Sequence, residues 1–202
     1  FVGHGADPTK VSITHTPSRR EPSDTHAAVR NAAETIAHRH MSHAAETLAL
    51  AFADDPVFRW MSRDADDLDR RLVRPFEEII RYETRTPDHH VFMTGDGESA
   101  AIWHAPGDPI PGVVDLVRWI PSFVRSFGLT LDRAIASLVT SRRVQPTTPH
   151  YHLAYVGTRP LSRKAGLGSE VLAPVLDRCD SERLPAYIEN SNPVNTAFYL
   201  EH

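Results

Sequence analysis

The stretch from His150 to Asn190 constrains the fold of this chain most. "HYHLAYVGT" (150–158) is rich in aromatic and β-favouring residues and reads as a strand. "RKAGLGSEVL" (163–172) then sets two glycines and two cations in front of an apolar run, and the helical pattern continues to about residue 182. "LPAYIEN" (184–190) reads as a second strand. Strand, helix and strand in this order predict an α/β domain with a mixed sheet.

The flanking segments fit that class. "MSHAAETLALAFADDPVFRWM" (Met41–Met61) predicts a helix with Ser42 as cap, Leu48, Ala51 and Phe52 at helical spacing, and a stop at Asp54-Asp55-Pro56. "DADDLDRRLVRPFEEIIRYETR" predicts a second helix with the stripe Leu68, Leu72, Phe76, Ile79 and Ile80, kinked or split at Pro75. "HHVFMTGDGESAAIWHAP" holds two extended pieces around Gly95-Asp96-Gly97, a hairpin signal. "VVDLVRWIPSFVRSF" and "LDRAIASLVTSRR" predict two more helices, divided near Gly128. "NPVNTAFYLEH" starts a last helix with Pro193 in its first turn. Residues 1–27 show no period and are expected to form a disordered leader, leaving 28–202 as a single domain. "AVRNAA" (28–33) is a weak candidate for an N-terminal strand.

Composition narrows the function classes. With 202 residues the chain can bury a sizeable core. A net charge of -4 argues against general nucleic-acid binding. No apolar run approaches the ~20 residues that span a bilayer. The lone Cys179 forms no internal disulfide, points to a cytoplasmic chain, and sits in a helical pattern as a buried hydrophobe. His38, His40 and His43 do not share one helical face, so no metal site is assigned. The chain begins at Phe1 rather than Met, which leaves its true N-terminus open.

The glycine-rich turn has a chemical reading. A helix that begins near Leu167 starts with unpaired N–H groups and the positive end of its dipole. Gly166 and Gly168 remove the Cβ atoms that would keep a ligand off the main chain, and Arg163 and Lys164 add positive charge. Together they make a cradle suited to a phosphate or pyrophosphate. The chain has no P-loop and no dinucleotide fingerprint.

"VGTRPLSRKAGLGSEVLAPVL" followed by "LPAYIENSNPVNTAFY" resembles the acetyl-CoA-binding core of the GNAT superfamily of N-acetyltransferases, with its [QR]-x-x-G-x-[GA] loop at Arg163, Gly166 and Gly168. "LALAFADDPVFRWM", "AAIWHAPGD" and "LPAYIENSNPVNTAFYLEH" are closest in look to the puromycin N-acetyltransferase-like members. The resemblance covers about residues 41–202, with a divergent middle at 110–145. It implies a mixed, mostly antiparallel sheet flanked by helices.

It also implies roles. Main-chain groups of Val156, Gly157 and Thr158 would hold the pantetheine arm and the acetyl carbonyl. The pyrophosphate would lie on Arg163, Lys164, Ala165, Gly166, Leu167 and Gly168, with Ser169 close by. Asn192 and Asn195 are candidate contacts to the cofactor arm, or turn and cap residues beside Pro193. Tyr199 matches the family tyrosine that protonates the departing sulfur. Strand alternation sets Tyr187 and Glu189 on one face and Ala186 and Ile188 on the other. Glu189 is the first candidate base, with His104, His150, Tyr151, His152 and Tyr155 as alternatives.

The implied reaction moves an acetyl group from acetyl-CoA to a primary amine of a small molecule. The alternatives are an acyl-CoA-binding module without catalysis and an acetyltransferase for protein or peptide amines. A homodimer is left open, and neither nucleic acid nor membrane is an expected partner. The pattern breaks at its end: look-alikes continue past the position of His202 with two closing strands, so these strands are expected to be missing and a sheet edge to be free.

Overall fold

A computed structural model of the chain describes residues 11–15, 33–35, 40–63, 65–85, 90–108, 111, 113–128 and 131–202. In chain order the elements are β1 (Val11–His15), β2 (Ala33–Thr35), α1 (Met41–Phe52), α2 (Pro56–Ser62), α3 (Leu68–Arg71) and α4 (Val73–Glu83). Then follow β3 (Val91–Thr94), β4 (Ser99–His104), α5 (Val113–Phe127), α6 (Leu131–Val144), β5 (Tyr151–Thr158), α7 (Leu167–Glu182), β6 (Ala186–Asn190) and α8 (Thr196–Leu200).

The strands form one sheet in the order β1-β6-β5-β4-β3-β2. Neighbours are antiparallel except β5 and β6, which run parallel and are joined through α7. Both sheet faces are covered. Ala100 and Ile102 of β4 join a core with α1, α3 and α4 residues such as Leu48, Leu68, Phe76 and Ile80. Ala101 and Trp103, the alternate residues, join Val171, Leu172, Val175 and Cys179 of α7 on the other side. Burial pushes the Cys179 thiol up to about 12, so it stays protonated at neutral pH. No helix among the described residues is long and apolar enough to cross a membrane.

The helix stop at 54–56 is real, but a second helix begins there. The Asp55 carboxylate accepts from the amides of Val57 (2.9 Å) and Phe58 (3.2 Å), and Pro56 takes the first helical position. Ser42 is not a cap; its hydroxyl donates to Glu77 of α4 at 3.0 Å. The second predicted helix divides at Leu72, and Pro75 lies in the first turn of α4, where its missing N–H costs nothing. The Gly95–Gly97 turn joins β3 to β4, and Gly97 adopts φ +75°. A side chain there would also run into the His43 ring.

Two expectations at the ends of the chain are corrected. Val11–His15, inside the stretch expected to be disordered, form β1. They pair along the whole outer edge of β6, from Val11↔Asn190 to His15↔Ala186, so that edge is not free. The candidate strand at 28–33 meets β2 (Ala33–Thr35) only at Ala33; residues 28–32 and His38 lie outside the described residues.

Candidate active site

Strands β5 and β6 pair through Tyr151↔Ala186, His152↔Tyr187 and Leu153↔Ile188, and then part. On its other edge β5 stays paired with β4 to Ser99↔Thr158. The register on that edge slips: Tyr155 faces Ile102 and Leu153 faces Trp103, which leaves Ala154 as an extra residue. Such a bulge bends a strand and increases its twist. Here it falls directly after the last β5–β6 pair, so the bend opens the fork.

The amide of Arg159 donates to Glu98 O at 2.9 Å, which fixes the alternation at the end of β5. Gly157 therefore turns its main-chain groups toward β4, while Val156 and Thr158 turn theirs to the open side. The predicted trio thus divides. Val156 and the Thr158 amide face the fork, while the Thr158 carbonyl accepts from Arg163. Gly157 instead admits α1: a Cβ there would lie 2.5 Å from Ala51 Cβ.

The glycine-rich turn leads directly into the start of α7. Gly166 caps α7 at φ +83° with no side-chain cap bond, and Lys164 is also left-handed at φ +67°. The first helical bond runs from Glu170 N to Gly166 O at 3.1 Å. The amides of Leu167, Gly168 and Ser169 precede it and have no intrahelical acceptor. A Cβ on Gly168 would come within 3.8 Å of Thr158 Oγ1, so the cradle adjoins the end of the fork. It would also press on the Phe198 ring at 3.2 Å, because α8 crosses the start of α7.

The Arg163 side chain is engaged within the protein. Its guanidinium donates to Ala51 O (3.1 Å) and Thr158 O (3.4 Å), which ties the loop to the end of α1. Lys164 and Ala165 are exposed beside it.

Asn192 acts as a cap, accepting from Val194 N at 3.2 Å, and Asn195 begins α8 without a side-chain bond. The residue that organises this corner is the buried Asn190, which sequence reasoning missed. It donates to Thr196 Oγ1 (3.0 Å) and accepts from Asn192 N (3.1 Å).

Tyr199 packs against the α7-side core. Burial, and then the Asp55 carboxylate, push its phenol far above the ordinary value, so it stays protonated throughout the neutral range. Asp55, read from sequence only as a helix stop, also holds the Ser191 hydroxyl on its second oxygen. It thereby links the α1–α2 corner to the loop that carries α8. The Asp-Pro pair at a helix start was the available signal.

Opposite Tyr199, on the α1/α4 face, a polar group collects at the mouth of the fork. The bulge is again the cause, because it brings His152 and Tyr155, three residues apart, to the same face. The His104 ring lies 5.5 Å from the His152 ring, and His152 lies 5.7 Å from Tyr187. Tyr187 Oη donates to Glu189 Oε1 at 3.4 Å, and His104 Nε2 lies 3.2 Å from Glu83 Oε1. Burial, then Glu83 and then Glu189, push the Tyr155 phenol up to about 12. Gln145, at the end of α6, reaches His152 Nδ1 at 3.3 Å.

Glu189, His104, His152 and Tyr155 are therefore brought together, and His150 flanks them with its ring 5.5 Å from Tyr187. Tyr151 is not part of the group. It faces α7 and donates to Glu182 at 2.9 Å, and its phenol is pushed up to about 12, first by burial. Glu83 was missed, since nothing in its helix marks it apart from other surface glutamates. Among the described residues no three His, Cys, Asp or Glu side chains converge as metal ligands.

No family model matches the chain. It is 25% identical over 185 residues to an uncharacterized N-acetyltransferase of Schizosaccharomyces pombe, covering 85% of this chain and 72% of that protein. Among solved structures it superposes on a Corynebacterium glutamicum protein described as histone acetyltransferase HPA2 and related acetyltransferase. That match has a TM-score of 0.61 and 20% identity, and covers 84% of this chain and 82% of the other. The first likeness is to a protein named as an N-acetyltransferase and the second is a likeness of fold; neither bears on the puromycin-like subgroup.

Proposed function

We infer that this member of the GNAT superfamily of N-acetyltransferases moves an acetyl group from acetyl-CoA directly onto a primary amine of a small molecule. The observation that carries this reading is the fork. Val156 and the Thr158 amide turn main-chain groups into it, beside the uncapped start of α7. A pantetheine arm needs a lane of such groups, and a diphosphate needs the amides of Leu167–Ser169. Acyl-CoA supplies the activated acyl group; the chain supplies position and proton handling.

Each side of the fork has its own task. The main-chain donors of Val156 and Thr158 suit an oxyanion developing on the carbonyl. Tyr199, held protonated, suits the departing sulfur. On the other side the incoming amine must lose a proton, since an alkyl ammonium has a pKa near ~10. Glu189 takes that role, with His152, Tyr187 and the Glu83–His104 pair around it. Holding amine and thioester together makes the attack effectively unimolecular. The carboxylates and rings favour a cationic acceptor with an apolar body.

The test pairs two measurements. Thiol release from acetyl-CoA is followed with a panel of small amines and a lysine peptide, and CoA binding is measured by calorimetry. Release with small amines, and loss of CoA affinity in Gly166→Val/Gly168→Val, are expected. Binding without release for any amine would favour a module that only binds acyl-CoA. Unchanged affinity in the glycine variant would sink the cradle.

A further inference from the structure

Helix α5 turns its aliphatic residues away from the protein. A surface helix ordinarily gives its apolar stripe to the core and its polar residues to water. In α5 the serines and the acid point inward instead. Ser122 donates to Glu78 at 2.7 Å, Ser126 is buried, and Asp115 pairs with Arg85 at 2.9 Å. Its exposed positions are Val114, Leu116, Val117, Ile120, Pro121 and Val124, with Arg118 and Arg125. Val114 is 74% exposed and Val117 59%. Positions 117, 120, 121 and 124 share one helical face, and the two arginines, seven residues apart, line up along its border. The neighbouring helix α6 adds the exposed Ile135 and Val139. Single exposed apolar residues are ordinary, but a set of this kind marks a contact surface.

Charge and side-chain type select what covers it. From Val113 to Val144 the charged residues are five arginines and two aspartates, so this helix pair is basic within a chain of net charge -4. A second copy meeting it across a two-fold axis would set one basic face against another. A protein partner is most often gripped by aromatic side chains. The three of α5 turn inward: Trp119 meets the Tyr82 ring edge-on, and Phe123 and Phe127 join the core with α1 and α4. Aliphatic side chains bordered by arginines match the acyl boundary and headgroup layer of a bilayer that contains anionic lipid.

We propose that the outward face of α5, with α6 beside it, docks the protein on an anionic membrane surface. Val117 and Ile120 reach the acyl boundary, and Arg118 and Arg125 lie among the headgroups. The helix rests along the surface, so no spanning helix is required. The expectation from composition that membrane is no partner rested on the lack of a spanning run and does not bear on a surface helix. Docking involves no step of acyl transfer, so the two readings stand or fall separately.

Co-sedimentation of the full chain with two sets of vesicles tests it, one of phosphatidylcholine alone and one of equal parts phosphatidylcholine and phosphatidylserine. The anionic set is expected to bind about tenfold more tightly, with a margin that shrinks as salt is added. Arg118→Ser and Arg125→Ser should each weaken binding to the anionic set about fivefold. Val117→Ser/Ile120→Ser should weaken it about tenfold without changing the charge. All four residues are exposed, so the Tm of each variant should match the wild type. No binding to the anionic set overturns the proposal, and so does equal binding to both sets. Vesicle binding that Val117→Ser/Ile120→Ser leaves unchanged also overturns it. Self-association without vesicle binding, abolished by the same variant, would give the face to a second copy. Binding to poly-glutamate in place of vesicles would give it to an acidic protein, and either result overturns the membrane. The comparison of the two vesicle sets decides in the wild-type chain even if a variant fails to fold.

Discussion

Gly157 of β5 and Ala51 of α1 touch so closely that a Cβ on the glycine would sit 2.5 Å from the alanine Cβ. The contact fixes how near α1 lies to the fork, and with it the carbonyl of Ala51 that holds Arg163. Gly157→Ala must push α1 away. Overpacking of this kind costs about 1–3 kcal/mol, and at this chain size each kcal/mol lowers Tm by about 2–4 °C. Thermal unfolding should show that loss. Adding Ala51→Gly should recover part of it, and a double-mutant cycle should give a favourable coupling term; strict additivity would mean the two residues do not meet.

Arg163 and Lys164 are neighbours with different tasks. Arg163 is bonded to Ala51 O and Thr158 O, whereas Lys164 stands exposed in left-handed backbone beside the cradle. Arg163→Ala should lower Tm with a smaller effect on the salt dependence of CoA binding. Lys164→Ala should leave Tm nearly unchanged, weaken CoA about two- to fivefold, and flatten that salt dependence. Calorimetry at two ionic strengths checks both; the reverse pattern would show that Arg163 leaves its carbonyls to serve the ligand.

These contrasts mark what sequence could carry. The strand, glycine turn, helix and strand of residues 150–190 were legible because each has a local cause: β-favouring residues, positive φ at Gly166, helical periodicity. Tyr187 and Glu189 were set together on one face, opposite Ala186 and Ile188, by alternation alone. The face of Tyr155 could not be read, because the bulge at Ala154 is set by register against β4, a relation between distant segments. Glu83 and Asp55 join the site only through tertiary packing. The strand at Val11–His15 carries only a short apolar–polar alternation, too brief to stand out in residues 1–27; its place is defined by the β6 edge it covers.

Alkaline titration reads the buried phenols. The chain has five tyrosines, and Tyr151 and Tyr155 are both pushed up to about 12. Their neutral forms are favoured by the folded state, so their contribution to stability is complete below the ordinary phenol value near ~10. It is lost as pH rises from there toward about 12. Difference absorbance of phenolate should therefore show these residues ionising only with unfolding, and Tm should fall over the same window. Ionisation of every tyrosine near pH 10 in the folded chain would contradict their burial.

Tyr199 offers the sharpest test of the chemistry. If its phenol protonates the departing thiolate, Tyr199→Phe should lower kcat by about 10²–10⁴-fold, with CoA affinity changed less than about twofold because the cradle lies on other residues. Burial keeps the phenol neutral, and the negative charge of Asp55 adds to that. The kcat profile should accordingly show no alkaline limb from Tyr199 up to pH ~10. Asp55→Asn removes the charge while keeping an acceptor for the amides of Val57 and Phe58. The phenol then moves part of the way down, since burial remains, and an alkaline limb should enter the kcat profile at lower pH. An unchanged alkaline side, or a Tyr199→Phe enzyme as fast as the wild type, would assign the sulfur's proton to water instead.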